Sequence, residues 1–286
     1  MLEHLLRALD LQETGGLFDF SAVVVDNDVN GPARETVERL QSELVTKIEY
    51  AIEPEQTIPA ARNHALRLAR GNYVGIIDDD EFPSKQWLVS LFRAIQTFDV
   101  DGALGPVHPF FDKQPPAWLL KSRICERPVL QTGTLLEWPQ TRTGNVLLKK
   151  DIFDKGRLSF DLKMKTGGSD QVFFRQAMEA GYRFIAVKEA PVYERISLER
   201  QKKSYYVKRA LVQGQNNKVY MRRLRGFFGV PMALKSAVAF LVYTIALPFS
   251  ACLGSHLSMK CLEKGAYHMS TFLTLFGVEL VKKRDF

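Results

Sequence analysis

The sequence predicts an α/β protein, a mostly parallel sheet flanked by helices, followed by a C-terminal hydrophobic helical hairpin. Three observations carry that expectation. Short β-branched runs alternate with helix-length segments over the first half of the chain, the pattern of βαβ units. Residues 71–83 read GNYVGIIDDDEFP, an apolar strand that runs into four consecutive carboxylates. Residues 237–254 carry no charge over 18 positions, which is the threshold length for crossing a bilayer. The expected units are 1–194 for the α/β domain, 195–225 for a basic helical connector and 226–286 for a membrane-associated helical region.

In chain order, 21–26 (SAVVVD) reads as a strand, 33–44 as a helix and 47–52 as a second strand. Residues 58–69 are helical by apolar period, 73–78 a strand, 84–97 a helix with Ser84 as N-cap, and 102–107 a strand. Prolines at 109, 115, 116, 128 and 139 interrupt 108–140. A segment that long without periodicity reads as a functional loop or lid. Residues 144–149 and 184–187 are strands, 170–180 is a helix, and 198–223 is a long basic helix. Ligands of such sheets collect at the carboxyl ends of the strands, where Asp26 and the run Asp78, Asp79, Asp80 stand.

Size and charge narrow the function. A chain of 286 residues with 46% hydrophobic content buries a full core. Cys125, Cys252 and Cys261 have neither CxxC spacing nor a nearby histidine pair, so a zinc site and a disulfide framework are both disfavoured and a reducing compartment fits. The net charge of +7 is regional: residues 195–225 hold ten Lys or Arg against Glu199 alone. Without a recognisable module this stripe does not indicate nucleic-acid binding. Arg222, Arg223 and Arg225 precede the apolar run 237–254, and Lys282, Lys283 and Arg284 follow a weaker one, 266–280, whose one acid is Glu279. Basic residues at both outer ends suit a hairpin with both ends cytoplasmic. Two core or interfacial helices fit the same pattern.

Like charges as close as Asp78 to Glu81 repel, so a strand that ends on them calls for a cation or a diphosphate–metal complex. A solvated acidic turn is the alternative. Four segments, VVVDNDVNG, IPAARNHALRLARGNYVGIIDDDEFP, TGNVLLKKDIF and GGSDQVFFRQAMEAGYRF, resemble in order the motifs of the family 2 glycosyltransferases, inverting nucleotide-sugar enzymes of the GT-A fold. The leading helix, LEHLLRALDLQ, resembles the one that follows the family's first strand.

The resemblance implies a donor site. Asp80 would be the main ligand of Mg2+ or Mn2+, with Asp78 positioning the metal through water or contacting the ribose; Asp79 exchanges with Asp78 in the alternative assignment, and Glu81 is expected to be a solvated neighbour. Asp26 would accept from the uracil or ribose of a UDP donor, with Asp28 as the alternative. An Asx turn over Asp26, Asn27 and Asp28 needs no ligand and fits the same residues. Arg62 would face the donor diphosphate or base, unless it is a surface arginine like Arg67 and Arg70. Asp170, after Gly167 and Gly168, would be the base that takes the acceptor's proton; an ordinary helix-end carboxylate is the competing reading. Ser169 stands where many relatives carry Glu. The Gln-x-x-Arg-Trp signature of processive synthases is absent, which favours transfer of single sugars.

The family's first strand would precede Leu2, so a chain starting at Met1 is expected to be unstable or inactive for want of a central strand. The expected function is transfer of one sugar from a nucleotide-sugar donor to a lipid-linked saccharide acceptor. It would take place at the cytoplasmic face of the inner membrane, in bacterial exopolysaccharide or lipopolysaccharide synthesis. The alternative is an inactive, membrane-associated protein that binds saccharide or a partner.

Overall fold

Apolar period forms the first helices where the sequence places them, and a side-chain cap adds to it at the third. A computed structural model of the chain describes residues 1–164, 167–223, 229–278 and 280–281. Arg225, Glu279, Lys282, Lys283 and Arg284 lie outside the described residues. Helix α1 (Leu2–Asp10) turns Leu5, Leu6 and Leu9 inward. Strand β1 (Ala22–Asp26), helix α2 (Arg34–Glu43) and strand β2 (Ile48–Ile52) follow. In α3 (Ile58–Leu68) the Thr57 hydroxyl accepts from the Ala60 N–H at 3.3 Å, and Pro59 occupies the first turn, where no N–H is needed.

After β3 (Tyr73–Ile77) comes a strand the sequence reading lacks, β4 (Glu81–Pro83). Ser84 is therefore not an N-cap: its N–H donates to Pro191 O, and α4 (Trp87–Phe98) begins three residues later. The run 102–107 is likewise divided, into β5 (Gly102–Leu104) and β6 (Val107–Phe110). Pro106 has no N–H for a ladder, and at Gly105 an added Cβ would lie 1.9 Å from Ala190 O. The chain changes sheets at this point. Helix α5 (Ala117–Ser122), β7 (Asn145–Lys149), α6 (Asp151–Asp154), α7 (Ser169–Glu179), β8 (Phe184–Ala186) and β9 (Val192–Arg195) complete the α/β part.

The strands form a parallel pair β1–β2, a four-stranded sheet ordered β3-β7-β5-β8 and a three-stranded sheet ordered β4-β9-β6. Strand β7 is antiparallel to both of its neighbours, β9 is antiparallel to β4, and the other three ladders are parallel. The architecture is thus mixed α/β with flanking helices, less uniformly parallel than strand–helix alternation suggests. The departure arises where β7 returns from the long excursion after β6 and needs no crossover helix. Trp87, Leu91 and Ile95 of α4 pack on one side with Leu147 and Ile185. Phe160, Phe173, Phe174 and Phe184 form an aromatic cluster with Val146 and Leu148.

Two compact units result: Met1–Phe110 with Glu126–Arg195, and Phe111–Cys125 with Ile196–Phe286. The proline-rich segment 108–140 is thereby divided between them. In the second unit a 3-10 turn at Glu199–Gln201 precedes α8 (Lys203–Arg223), so the helix starts after residue 198. Helix α9 (Gly229–Leu253) and α10 (Ser255–Leu275) form a hairpin turned at Gly254, whose φ of +134° suits glycine. Leu119, Tyr206 and Met259 make this unit's small core, with the Tyr206 hydroxyl 2.8 Å from Cys125 Sγ.

Candidate active site

Strand β3 delivers Asp78 at its carboxyl end, directly after the Ile77–Asn145 pair that closes the ladder with β7. The chain then reverses, with Glu81 N–H donating to Asp78 O at 3.1 Å. Arg62 Nη2 lies 3.1 Å from Asp78 Oδ1, and the Arg62 side chain is only 17% exposed. Arg67 and Arg70, on the same helix or just beyond it, are 64% and 87% exposed. Arg62 is therefore not a surface arginine of their kind. Its guanidinium also lies over the Phe160 ring, 5.6 Å from the centroid.

Asn63, which the sequence reading passed over, clamps the backbone of Phe160. Its Nδ2 donates to Phe160 O at 2.8 Å and its Oδ1 accepts from Phe160 N at 2.9 Å. The Phe160 ring packs on Phe173 of α7 at 4.8 Å. One turn of α3 thus ties the Asp78 turn to the segment that leads into α7. Little in the local sequence marks it: Asn63 stands among Arg62, His64 and Arg67 on α3, and its partner is a backbone group 97 residues away.

Glu81 corrects an expectation. It is 5% exposed rather than solvated, because the alternation of β4 turns Glu81 and Pro83 inward. Burial, then the carboxylates of Asp78, Glu194 and Asp80, push its pKa up to about 10, against the single backbone N–H of Asp78 that favours the charged form. At neutral pH Glu81 is a neutral acid. Gly144 makes room for both groups: an added Cβ would lie 2.9 Å from Asp78 Oδ2 and 2.9 Å from Glu81 Oε1. Next to it, buried Asn145 accepts from Trp87 Nε1 at 2.7 Å and donates to Pro106 O and Ala190 O at 2.9 Å. This amide joins α4 to the two connections where the sheets meet. It too was legible only as a strand residue.

Asp26, at the end of β1, is 9% exposed and turned to local partners. Its Oδ1 accepts from Asp28 N at 3.2 Å; its Oδ2 accepts from Ala33 N at 2.8 Å and from the Tyr50 hydroxyl at 3.1 Å. Asp28 Oδ1 accepts from Asn30 N and Nδ2. These bonds build the Asx turn that the sequence allowed. Burial and the bond to Asp26 raise the Tyr50 pKa.

Asp170 stands in the first turn of α7, after Gly167 at φ +111° and Gly168 at φ +84°. Its Oδ1 accepts from Gln171 N at 2.9 Å, and it is half-buried above fully buried Ser169. Of the predicted residues, Arg62 and Asp78 touch directly. Asp170 shares α7 with Phe173, whose ring packs on Phe160, the residue that Asn63 holds, and α3 packs on β1, the strand that ends in Asp26.

Among the described residues no group of three or more His, Cys, Asp and Glu converges on one point. A cation such as Mg2+ uses one or two carboxylates, water and substrate phosphates. The hard oxygen donors of Asp78 and Asp80 fit that requirement, and Asp79 is the exposed member of the turn.

Residues 1–157 match the family described as glycosyl transferase family 2. The chain is 30% identical over 221 residues to the succinoglycan biosynthesis protein ExoM of Rhizobium meliloti (strain 1021), covering 76% of this chain and 70% of that protein. It is 28% identical over 121 residues to chondroitin synthase of Escherichia coli, 41% of this chain and 18% of that one. Among solved structures, S. aureus TarS 1-349 in complex with UDP matches with TM-score 0.52 and 15% identity over 97% of this chain and 88% of that one. The complex of the same protein with UDP-GlcNAc gives TM-score 0.53 and 14% identity over 96% and 88%. At such identities these structures speak for the fold, which is of the GT-A type. The family match covers more than half of the chain and is joined by a full-domain relative, so this protein belongs to the family 2 glycosyltransferases and is a glycosyltransferase.

Proposed function

We propose that this enzyme transfers one hexosyl residue, with inversion, from a UDP-sugar to a lipid-linked saccharide in exopolysaccharide synthesis. The supporting observation is the inward-facing Arg62 held on Asp78 at the carboxyl end of β3, bonded through α3 to the segment leading to Asp170. In this reading Asp170 accepts the proton of the acceptor hydroxyl as its oxygen attacks the anomeric carbon and the bond to the diphosphate breaks. Arg62 orients Asp78 and presents positive charge to the donor. Asp26 and Asp28 shape the turn beside the nucleotide, and Asp79 lies on its solvent side. Asp80 and Asp78 are the residues that would hold Mg2+ or Mn2+, which when bound neutralises charge on the leaving diphosphate.

A membrane site of action, at the cytoplasmic face of the plasma membrane, is supported by the apolar segment Ala233–Leu253 and by the basic run before it. The name of the relative, a succinoglycan biosynthesis protein, supports the exopolysaccharide assignment. A transfer and donor-hydrolysis assay with Mn2+ across nucleotide sugars tests the reading. Turnover is expected with one UDP-sugar, and a loss of at least 100-fold in Asp80→Ala and Asp170→Asn. Full turnover in either variant would remove that residue from its role. UDP titration by calorimetry, with heat that depends on Mn2+, tests donor binding separately.

A further inference from the structure

Helix α9 has its polarity reversed. Among its described side chains the buried ones are both serines, Ser236 and Ser250, while Leu234, Val238, Leu241, Ile245 and Phe249 are each more than half exposed. Their spacing of three and four residues places them on one face. Helix α10 also buries hydroxyl side chains, Ser270, Thr271 and Thr274, along with Met259 and Ala266. Ser270 Oγ donates to Leu211 O of α8 at 2.6 Å, and at Gly214 an added Cβ would lie 2.5 Å from Tyr267 O. Small and hydroxyl residues between helices, with apolar side chains outside, are how helices pack when their solvent is lipid.

Length alone allows α9 to cross a bilayer, but its partner does not. Tyr243 is the midpoint of the segment Ala233–Leu253, and Lys264 of α10 holds its Nζ 5.7 Å from the Tyr243 ring centroid. Glu263 beside it faces Arg209, Lys264 and Lys260. A spanning hairpin would bring these charges to the centre of the bilayer, where they are most costly. Tyr243 lies on the α10 side of α9, whereas Leu241 and Ile245 lie on the other.

We infer that the α9–α10 hairpin lies in the plane of one leaflet of an anionic phospholipid bilayer, the apolar face of α9 in the acyl chains and Lys260 and Lys264 among the headgroups. The occupant follows from charge complementarity: Lys235 of α9 and Lys264 of α10 are exposed on the two helices of the hairpin, Lys260 is one turn from Lys264, and α8 is rich in Lys and Arg. This deepens the membrane reading above and rests on it, but neither test below measures sugar transfer.

The first test is co-sedimentation of the full chain with phosphatidylcholine vesicles containing about 30% phosphatidylglycerol, an anionic surface of the kind that attracts basic segments. The double variant Leu241→Glu/Ile245→Glu is expected to bind at least tenfold less while keeping its circular dichroism, because both positions are already exposed. Unchanged binding, or a lipid-free dimer that the variant dissociates and that does not bind vesicles, overturns the proposal. The second test places Ser255→Cys, at the hairpin turn, in a chain with Cys125, Cys252 and Cys261 changed to Ser. An impermeant maleimide is expected to label it only after spheroplasts are lysed. Labelling of intact spheroplasts would show a crossing helix and refute the in-plane placement while leaving membrane association intact.

Discussion

Replacing Asn63 by Ala removes both bonds to the Phe160 peptide, at 2.8 and 2.9 Å, and leaves that part-buried N–H and C=O without their partner. Each lost bond costs about 0.5–1.5 kcal/mol net, and an unsatisfied buried group about 1–3 kcal/mol, so partial burial gives an expected loss of about 2–4 kcal/mol. With a urea slope of about 2 kcal/mol per molar, the unfolding midpoint falls by about 1–2 M. Two units need not unfold together, so the fluorescence should report on the first alone. A Trp118→Phe background leaves Trp87 and Trp138, both in that unit. Asn63→Asp keeps the acceptor for Phe160 N but loses the donor to Phe160 O, and should fall between wild type and Asn63→Ala. Kinetically, kcat should drop while UDP affinity holds, because Arg62 and Asp78 are untouched. A midpoint for Asn63→Ala within about 0.2 M of wild type, at equal slope, would refute the clamp as a stabilising link.

Glu81 supplies a pH prediction. Its folded pKa of about 10 lies above the unfolded value of 4.5. Between those values the folded state holds one more proton, so its contribution to stability is fully present below pH 4.5 and is lost as pH rises toward 10. In EDTA, Glu81→Gln should flatten the fall of Tm between pH 6 and 9 by about one proton's dependence; identical pH profiles for the two proteins would contradict the buried neutral acid. Gly144→Ala should shift Asp78 and Glu81 apart and weaken Mn2+-dependent UDP binding about tenfold, a coupling of about 1.4 kcal/mol, with Tm nearly unchanged; unaltered titration heat would refute the close approach. Gly105→Ala, whose Cβ meets a backbone oxygen, should destabilise the first unit by about 3 kcal/mol or be recovered only as aggregate. A wild-type urea midpoint would count against the packing of Ala190 on Gly105.

The strand–helix alternation of 21–104 was legible because each element there owes its form to a local apolar period. What the sequence concealed depends on long-range pairing. Strands β4 and β9 are three and four residues long and gain their form from each other across more than a hundred positions. A local reading therefore took Ser84 for a cap and Glu81 for a solvated residue. The reading of 102–107 as one strand passed through Pro106, and that the chain rejoins a different sheet beyond it follows only from where Ala190 and β9 lie. Asp26 was legible both ways, and its carboxylate is indeed committed to a turn at the strand end where a ligand site is also expected.

Arg62 and Asn63 show why charge alone underreads a site. Adjacent positions on a helix point about 100° apart, so Arg62 reaches the carboxylate after β3 while Asn63 reaches the peptide at Phe160. The arginine stands out in sequence because an acidic run follows it. The asparagine has no such marker, since its partner is a backbone group 97 residues away. Yet the asparagine carries the mechanical consequence. An ion pair with a partly exposed carboxylate adjusts to small displacements, whereas an amide bonded to both the N–H and the C=O of one residue fixes distance and direction together. The position of the segment before α7 relative to the Asp78 turn is accordingly set by a neutral residue.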